Sequence, residues 1–329
     1  MILDRACAWC AHAAHDERAL DAPTSLNLQR VCSPTWHNAS MNERRHSRWT
    51  PLSRKPLVRI LRVVLLVYVG WCAVLFFQQD ALVYMPALAG PGMSEARIAD
   101  EPDIERIWLH HRDGIKTEAW ILRSTSTPAQ GFVCFLHGNA ELIDDALHDA
   151  RAWNDRGMDV LLVEYRGYGR SGGAPKQDVI VADVVEAIEV TLAATNYSTI
   201  TLHGRSLGTG VAAQVAAQLE SHASMQGKLG ALVLESPFTS IASFAWGYGV
   251  PSFIVTNPFR TDEVLPMLAC PILLLHSHFD EIVPLEHSHT LATLNPRARL
   301  VELEGSHNSG LSRTTEYWNA IDEFIAAPR

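Results

Sequence analysis

The residues with the clearest chemical potential are a serine, a histidine and a carboxylate that lie far apart along the 329-residue chain. Ser206 is the centre of Gly204-Arg-Ser-Leu-Gly208, which follows a strand-like run and precedes a helix-like run. Such a tight turn crowds the positions on either side of the serine, and glycine tolerates the crowding because it has no Cβ atom. The pattern predicts a serine hydroxyl above a sheet edge, beside a helix N-terminus that can stabilise negative charge.

A serine hydroxyl becomes an effective nucleophile when a positioned imidazole accepts its proton. Five of the fifteen histidines lie at the carboxyl ends of predicted strands, where the sites of parallel sheets gather. They are His137, His203, His276, His278 and His307. His307 follows the last predicted strand in a loop suited to reach across the sheet edge, so we predict that it is the base.

A carboxylate must hold this imidazole in one tautomer. Asp280 follows the penultimate predicted strand and is the preferred acid, with the adjacent Glu281 as its rival and Glu235 as a weaker alternative. The ordinary role of such carboxylates is a solvated loop charge or a helix cap. The sequence therefore predicts Ser206, His307 and Asp280 as nucleophile, base and acid.

An oxyanion formed by attack on a carbonyl needs two backbone donors. One should be the N–H of Leu207, directly after the nucleophile. The other should come from the loop after the third predicted strand, where Gly138 permits a close approach and Asn139 or Ala140 supplies the N–H. We prefer Asn139.

The elements that must position these groups follow a repeated β-then-α pattern. Strands are predicted at 104–110, 119–122, 132–136, 160–163, 199–203, 229–234, 272–276 and 300–303, and helices at 146–155, 179–193, 211–219, 285–294 and 314–326. Nearly continuous apolar strands, such as residues 272–275, indicate burial on both faces. The sequence thus predicts an α/β fold with a mostly parallel, eight-stranded sheet flanked by helices.

Several motifs occur in the order found in the alpha/beta-hydrolase superfamily, and the chain order Ser206, Asp280, His307 is the one expected there. The motifs are His137-Gly-Asn-Ala140, Glu164-Tyr-Arg-Gly-Tyr-Gly-Arg-Ser171, Gly204-Arg-Ser-Leu-Gly208, Glu235-Ser-Pro-Phe-Thr-Ser240 and the Asp280 and His307 loops. Over about residues 80–326 the chain resembles the membrane-anchored hydrolase-domain group related to serine aminopeptidases and animal protein depalmitoylases.

This resemblance implies a Ser206–His307–Asp280 triad, with Asn139 and Leu207 in the oxyanion hole. Two positions depart from it. Ser277 and Glu141 stand where many relatives have glycine, and both could reshape the pocket.

The amino-terminal region divides into a basic segment predicted to be disordered (residues 1–56) and an apolar segment (57–79). Residues 1–40 could also be an upstream extension, with Met41 as an alternative start. Twelve Leu, Ile, Val or Phe residues between positions 60 and 77 favour membrane insertion by about −4 to −7 kcal/mol. We predict a transmembrane signal anchor at 57–79 and a catalytic domain at 80–329. A cleaved signal peptide is the rival, but its small-residue site, Ala87-Leu-Ala89, lies too far beyond the apolar run.

Charge around this segment predicts its orientation. Seven Lys or Arg residues lie between positions 44 and 62, and the next one is Arg97. Positive residues favour the cytoplasmic side. We expect a single-pass membrane protein with a cytoplasmic N-terminus and the catalytic domain on the non-cytoplasmic side.

Charge and cysteine content exclude other classes of protein. The net charge is −9, of which residues 1–62 contribute +5, so residues 63–329 carry −14. An acidic main domain without a basic stripe argues against a nucleic-acid partner. The cysteines form no framework, and the Cys7–Cys10 cluster with His12 and His15 lacks the spacing of a structural zinc site. No metal and no organic cofactor is implied.

The predicted function is a serine hydrolase of the esterase or thioesterase class. Its partners would be the lipid bilayer and an acyl ester or thioester substrate, including lipidic or acylated-protein substrates that a membrane anchor brings close. The alternatives are a serine aminopeptidase-like peptidase and a non-catalytic, membrane-tethered binding module. Residues 241–268 are short for a lid; their five aromatic residues, Phe244, Trp246, Tyr248, Phe253 and Phe259, are expected mainly in the core, with an acyl pocket as the alternative.

Overall fold

The structure, a computed structural model, describes residues 54–126 and 128–327. The predicted disorder of residues 1–56 therefore lies outside the described chain, apart from its last three residues, which are helical. The alternative start at Met41 and the Cys7–Cys10 cluster also lie outside it.

The described residues form one eight-stranded sheet with the order β1-β2-β4-β3-β5-β6-β7-β8. The strands are β1 (Ile104–His110), β2 (Lys116–Leu122), β3 (Gly131–Leu136), β4 (Met158–Val163), β5 (Ile200–Arg205), β6 (Leu229–Glu235), β7 (Ile272–Ser277) and β8 (Ala298–Leu303). β1 and β2 pair antiparallel, and β2 is antiparallel to β4. The strands from β3 to β8 are mutually parallel. The predicted mostly parallel sheet is confirmed.

The described residues form eight α-helices: α1 (Arg54–Val83), α2 (Glu95–Ala99), α3 (Leu147–Asn154), α4 (Gln177–Ala193), α5 (Leu207–Ser221), α6 (Thr261–Val264), α7 (Glu286–Leu294) and α8 (Thr315–Ala326). Helices α4 and α5 cover one face of the sheet, and α3 and α8 cover the other. Alternate residues of each strand enter different cores: in β7, Ile272 and Leu274 pack with α4 and α5, whereas Leu273 and Leu275 pack with α3 and α8. Burial on both faces explains why this strand has no polar alternation.

Helix α5 begins four residues earlier than its sequence indicates. The helical run was predicted from position 211, but the helix begins at Leu207, directly after Ser206. Glycines at 208 and 210 weaken helix propensity, yet packing requires them. A Cβ on Gly208 would lie 2.1 Å from the Leu136 carbonyl oxygen, and one on Gly210 would lie 2.7 Å from the Phe238 ring.

Helix α1 contains the apolar amino-terminal segment and extends beyond the predicted 57–79 at both ends. Its residues Lys55–Val83 are long and apolar enough to cross a membrane. The side chains of residues 55–71 are exposed, whereas Cys72, Leu75, Gln79 and Val83 are partly buried. This i, i+3, i+4 spacing places one face of the last turns against the rest of the protein. The helix is compatible with a single-pass membrane anchor.

Candidate active site

Ser206 lies at the junction of β5 and α5 in a strained backbone conformation. Its φ of 49° and ψ of −115° fall where residues other than glycine are rare. The Ser206 N–H donates to the Glu235 carbonyl oxygen at 2.9 Å, which fixes the turn against β6. A Cβ on Gly204 would lie 2.3 Å from the Gly208 carbonyl oxygen. The crowding inferred from the sequence is therefore present.

The structure brings the three predicted side chains into contact. His307 Nε2 lies 3.0 Å from Ser206 Oγ. On the other side of the ring, His307 Nδ1 lies 2.7 Å from Asp280 Oδ2 and 2.9 Å from Oδ1. In this arrangement Nδ1 donates to the carboxylate, which leaves Nε2 free to accept the serine proton.

The environment of Asp280 keeps its carboxyl group ionised. Burial opposes ionisation, but hydrogen bonds from His276 and His307 and attraction to His307 outweigh burial and hold the pKa of Asp280 well below its usual range. The backbone N–H groups of Ile282 and Val283 also donate to Oδ1, at 3.0 and 2.7 Å. The carboxylate is fixed before any substrate binds.

Two other histidines at strand ends, His276 and His137, are hydrogen-bonded to groups other than Ser206. Neither is therefore placed to act as the base. His276 contacts Ser288 Oγ at 2.6 Å and the Val283 carbonyl at 2.8 Å, behind Asp280. His137 faces Glu164 at 3.0 Å and the Gly138 carbonyl at 2.8 Å. Burial lowers the pKa of His137, but Glu164 more than offsets this and raises the pKa overall.

His203 belongs to a buried chain of hydrogen bonds beneath the serine. Its Nδ1 accepts from Trp153 Nε1 at 3.0 Å, and its Nε2 lies 2.9 Å from the Tyr317 hydroxyl. Tyr317 in turn donates to Glu235 at 2.8 Å. Burial lowers the pKa of His203 to about 3, so the ring is neutral and serves structure. The fifth histidine, His278, lies 3.3 Å from Glu302.

The alternative carboxylates have other partners. Glu281 accepts the His307 backbone N–H at 3.1 Å and so supports the loop rather than the ring. Glu235 accepts from Arg205 Nε at 3.2 Å. Burial raises the pKa of Glu235, and repulsion by Asp149 adds to the effect, against the attraction of Arg205.

Arg205, the residue before the serine, is the centre of an ion cluster that the sequence did not reveal. Its guanidinium lies 3.2 Å from Glu235, 3.2 Å from Glu141 and 2.6 Å from Asp149. Burial would lower the pKa of Arg205, but these three carboxylates raise it well above its usual range. The cluster joins β5, β6, α3 and the loop after β3 immediately behind Ser206.

That loop carries the predicted oxyanion donor. Glu141, one of the two departures noted in the sequence, accepts the Gly138 N–H at 2.7 Å. Asn139 uses its side-chain oxygen to accept the Met85 N–H at 2.8 Å and the Tyr168 hydroxyl at 3.0 Å. The Asn139 side chain is thus occupied, and its backbone N–H donates no hydrogen bond among those of residues 54–126 and 128–327. Leu207 begins α5, so its N–H has no intrahelical partner.

The other departure supports the histidine loop. The Ser277 hydroxyl, at the end of β7, donates to the Gly305 carbonyl oxygen two residues before His307. A glycine at 277 would lack this tie. The serine therefore joins the end of β7 to the loop that presents the imidazole.

A cavity of about 740 Å³ opens at Ser206 and His307. Its lining includes Asn139 from the loop after β3 and Met85, two residues beyond α1. Ser236 also lines it: this residue has a φ of 52°, is 2% exposed, and its hydroxyl has no hydrogen-bond partner among the residues that the structure describes. Sequence reasoning missed Ser236, because only the backbone angle and the burial distinguish it.

The aromatic residues of 241–268 do not line this cavity. Phe259 is fully buried and Phe244 packs against the core, as expected for core residues. Trp246, Tyr248 and Phe253 are instead exposed to solvent.

Away from the active site, one group of side chains in the described chain has the composition of a metal site. It consists of His111, Asp183 and Glu186. His111 Nδ1 lies 2.7 Å from Glu186 and 3.2 Å from Asp183, distances suited to direct hydrogen bonds. Arg166 Nε pairs with Asp183 at 2.5 Å. Because a guanidinium already balances the carboxylate, we interpret the group as an ion cluster.

Comparison with known proteins places the chain in a family. Residues 127–261 match the family model described as "Serine aminopeptidase, S33". The alpha/beta hydrolase domain-containing protein WAV2 of Arabidopsis thaliana is 31% identical over 288 residues, which cover 79% of this chain and 91% of WAV2. The chain therefore belongs to the alpha/beta-hydrolase superfamily.

Two further comparisons concern fold and class. Lysophosphatidylserine lipase ABHD12 of Macaca fascicularis is 26% identical over 214 residues, 60% of this chain and 52% of ABHD12. The structure of an esterase from Pyrococcus furiosus superposes with a TM-score of 0.57 at 16% identity, over 71% of this chain and 93% of the esterase. The esterase structure shows the alpha/beta-hydrolase fold, and the lipase relative supports hydrolase activity.

Proposed function

We propose that this protein is a membrane-anchored serine hydrolase that cleaves carboxylic ester or thioester bonds through an acyl-enzyme intermediate. The observation that carries the proposal is the chain of contacts from Ser206 Oγ to His307 Nε2 at 3.0 Å and from His307 Nδ1 to Asp280 at 2.7 Å. These distances suit proton transfer from the hydroxyl as it attacks a carbonyl carbon.

The proposed reaction has two stages. Ser206 Oγ attacks the carbonyl carbon while His307 takes its proton, and the N–H groups of Asn139 and Leu207 stabilise the oxyanion. His307 then protonates the departing alkoxide or thiolate, leaving an acyl group on Ser206. Water, deprotonated by the same imidazole, attacks the acyl group; the carboxylic acid leaves and Ser206 regains its proton.

The proposed substrates are acyl esters or thioesters of lipidic molecules or acylated proteins. Helix α1, proposed to anchor the chain through residues 57–79, would hold the domain of residues 80–329 at a membrane where such molecules are concentrated. Met85 places the cavity within two residues of the end of α1. The name of ABHD12, a lysophosphatidylserine lipase, agrees with an ester of this type.

Serine aminopeptidase-like activity is the second candidate, because the matching family model carries that description. A free amino terminus would need an unpaired acidic group in the cavity. Four acidic residues line the cavity, and three of them, Glu141, Asp149 and Glu235, pair with Arg205. The fourth, Asp145, accepts the Leu142 N–H, so it is the acidic group on which the peptidase alternative depends.

A fluorophosphonate probe should label the protein, and Ser206→Ala should abolish labelling, because the probe reacts with activated serines. Ser236→Ala is the matched control: like Ser206, Ser236 is a serine with positive φ that lines the cavity, but among the described residues it has no base as partner. It should label as strongly as the unsubstituted protein. Labelling that persists in Ser206→Ala would refute the proposed nucleophile.

We also propose that the N-terminus is cytoplasmic and that the hydrolase domain lies on the other side of the membrane, because the seven cations at positions 44–62 lie on the amino-terminal side of the apolar run. Sealed vesicles are prepared in both orientations, and protease is added outside. The protease should digest a carboxyl-terminal tag in vesicles whose non-cytoplasmic face is outward and should leave it intact in the opposite orientation. Protection of the tag in vesicles whose non-cytoplasmic face is outward would reverse the assignment.

A further inference from the structure

Helix α1 has a free part and a docked part. Residues 55–70 stand clear of the rest of the described protein, the docked part begins at Trp71, whose Nε1 contacts the Tyr248 carbonyl oxygen, and partial burial begins at Cys72. The apolar run ends at Phe77 and is followed by Gln78, Gln79 and Asp80. The docked part therefore begins about 9 Å before the apolar run ends, since each helical residue rises 1.5 Å.

The surface that α1 meets is residues 241–254, here called the aromatic segment. It consists of 3₁₀ turns at Ile241–Tyr248 and Ser252–Ile254. No Asp, Glu, Lys or Arg occurs between Glu235 and Arg260. The segment buries Ala242, Ala245 and Val250 against the protein.

Three of its large side chains are exposed instead. Trp246 is 75% exposed, Tyr248 54% and Phe253 85%. An uncharged surface with three exposed aromatic side chains is unfavourable in water and is typical of an interaction site. Tryptophan and tyrosine are enriched where proteins meet the membrane–water interface.

Helix α1 bonds to the aromatic segment within its apolar run and to the residues just after the segment beyond that run. Trp71 Nε1 donates to the Tyr248 carbonyl oxygen at 2.9 Å, within the apolar run. Further along, Gln79 accepts the Thr256 N–H at 2.7 Å, and Asp80 accepts from the Asn257 amide at 2.7 Å. Where α1 passes from apolar to polar residues, its partner residues pass from the aromatic segment to the polar Thr256 and Asn257.

We propose that the aromatic segment is a second membrane contact, embedded in the leaflet from which α1 emerges. Its partner is the lipid bilayer at the boundary between acyl chains and headgroups. If Phe77 marks the edge of the hydrocarbon, Trp71, whose ring N–H binds the Tyr248 carbonyl, lies about 9 Å below that edge along the helix axis. No water is available there, so the bond from Trp71 satisfies a carbonyl that would otherwise be unpaired.

The embedded segment fixes the orientation of the hydrolase domain on the membrane. A single helix leaves a domain free to tilt, whereas a second contact holds the cavity at one height and angle. Since Met85 both follows α1 and lines the cavity, a lipidic substrate could enter from the same leaflet. The inference rests on the proposed anchoring role of α1 but not on catalysis.

Depth-dependent fluorescence quenching tests the contact. A dansyl-bearing amino acid replaces Phe253 in the full chain, which is reconstituted in phosphatidylcholine vesicles. Quenching by phosphatidylcholine with an acyl-chain nitroxide is compared with quenching by iodide in the buffer. Phe253 is mostly exposed, so its replacement should not disturb folding.

Two matched positions separate the possible outcomes. Leu66, in the free part of α1, reports anchoring, and Glu323, exposed on α8, reports water. We expect probes at 253 and 66 to lose most of their emission to the nitroxide lipid, and the probe at 323 to respond to iodide alone. Iodide quenching at 253 with lipid quenching at 66 would overturn the second contact. Iodide quenching at both would overturn the anchor together with the second contact, while leaving the proposed hydrolase chemistry untouched.

Discussion

Replacing Asp280 by Asn is expected to lower kcat for an aryl ester about 10⁴-fold with little change in KM. The amide keeps the shape of the side chain but removes the charge opposite His307 Nδ1, which lies 2.7 Å away. An amide NH₂ facing Nδ1 favours the tautomer that carries its proton on Nε2. That nitrogen could then no longer accept the proton of Ser206.

Glu281→Gln is the matched control, because Glu281 is the neighbouring carboxylate and accepts the backbone N–H of His307 rather than contacting its ring. We expect a loss of about tenfold or less, as for one weakened hydrogen bond. Equal losses in the two variants would contradict the assignment of Asp280 as the acid. A higher kcat/KM for aminoacyl amides than for aryl esters in the unsubstituted protein would instead favour the peptidase alternative.

The pH dependence of the same assay distinguishes the two titratable partners. Because hydrogen bonds from His276 and His307 hold the pKa of Asp280 well below its usual range, its protonation should not enter the profile near neutral pH. The fall in kcat/KM on acidification should therefore contain one ionisation rather than two. Two ionisations in the acid limb would show that Asp280 is not held as we describe.

The sequence could predict the approach of Ser206, His307 and Asp280 because each lies at the carboxyl end of a strand with an unambiguous apolar pattern. In a parallel sheet those ends share one edge, so order along the chain is enough to bring them together. The eight strands and their mostly parallel arrangement were predictable for the same reason.

The ion cluster of Arg205 could not be predicted in this way. It depends on which charged side chains of α3, β6 and the loop after β3 point behind the serine, and this follows from packing rather than from periodicity. In the sequence, Glu141 was notable only because many relatives have glycine at this position. The sequence did not indicate that Arg205 is its partner. The start of α5 was misplaced because two glycines needed for close packing also lower helix propensity.

The exposed aromatic side chains of residues 241–254 illustrate a different limit. Composition alone could not separate Phe244 and Phe259, which are in the core, from Trp246 and Phe253, which are exposed. Short 3₁₀ turns have no long periodic stripe that would assign each residue to a face.

Arg205→Met should lower the free energy of unfolding by about 3–5 kcal/mol. The substitution keeps an apolar stem of similar length but leaves Glu141, Asp149 and Glu235 without their shared cation. Buried carboxylates cannot regain water in the folded state, so they repel one another and resist ionisation. The measurement is denaturant unfolding of the full chain in detergent micelles at neutral pH.

Arg299→Met is the matched control, because Arg299 pairs with Glu323 at 2.7 Å where both side chains are about half exposed or more. This substitution should lower the free energy of unfolding by less than about 1 kcal/mol.

The pH dependence of the free energy of unfolding provides a second test. Burial already raises the pKa of Glu235, and losing Arg205 raises it further, so the folded variant binds a proton more readily than the unfolded chain. The deficit of Arg205→Met should therefore shrink as pH falls towards about 4, the ordinary value for glutamate. Two results would mean that Arg205 does not stabilise the three carboxylates. One is a loss in free energy of unfolding equal to that of Arg299→Met, and the other is a loss that grows on acidification.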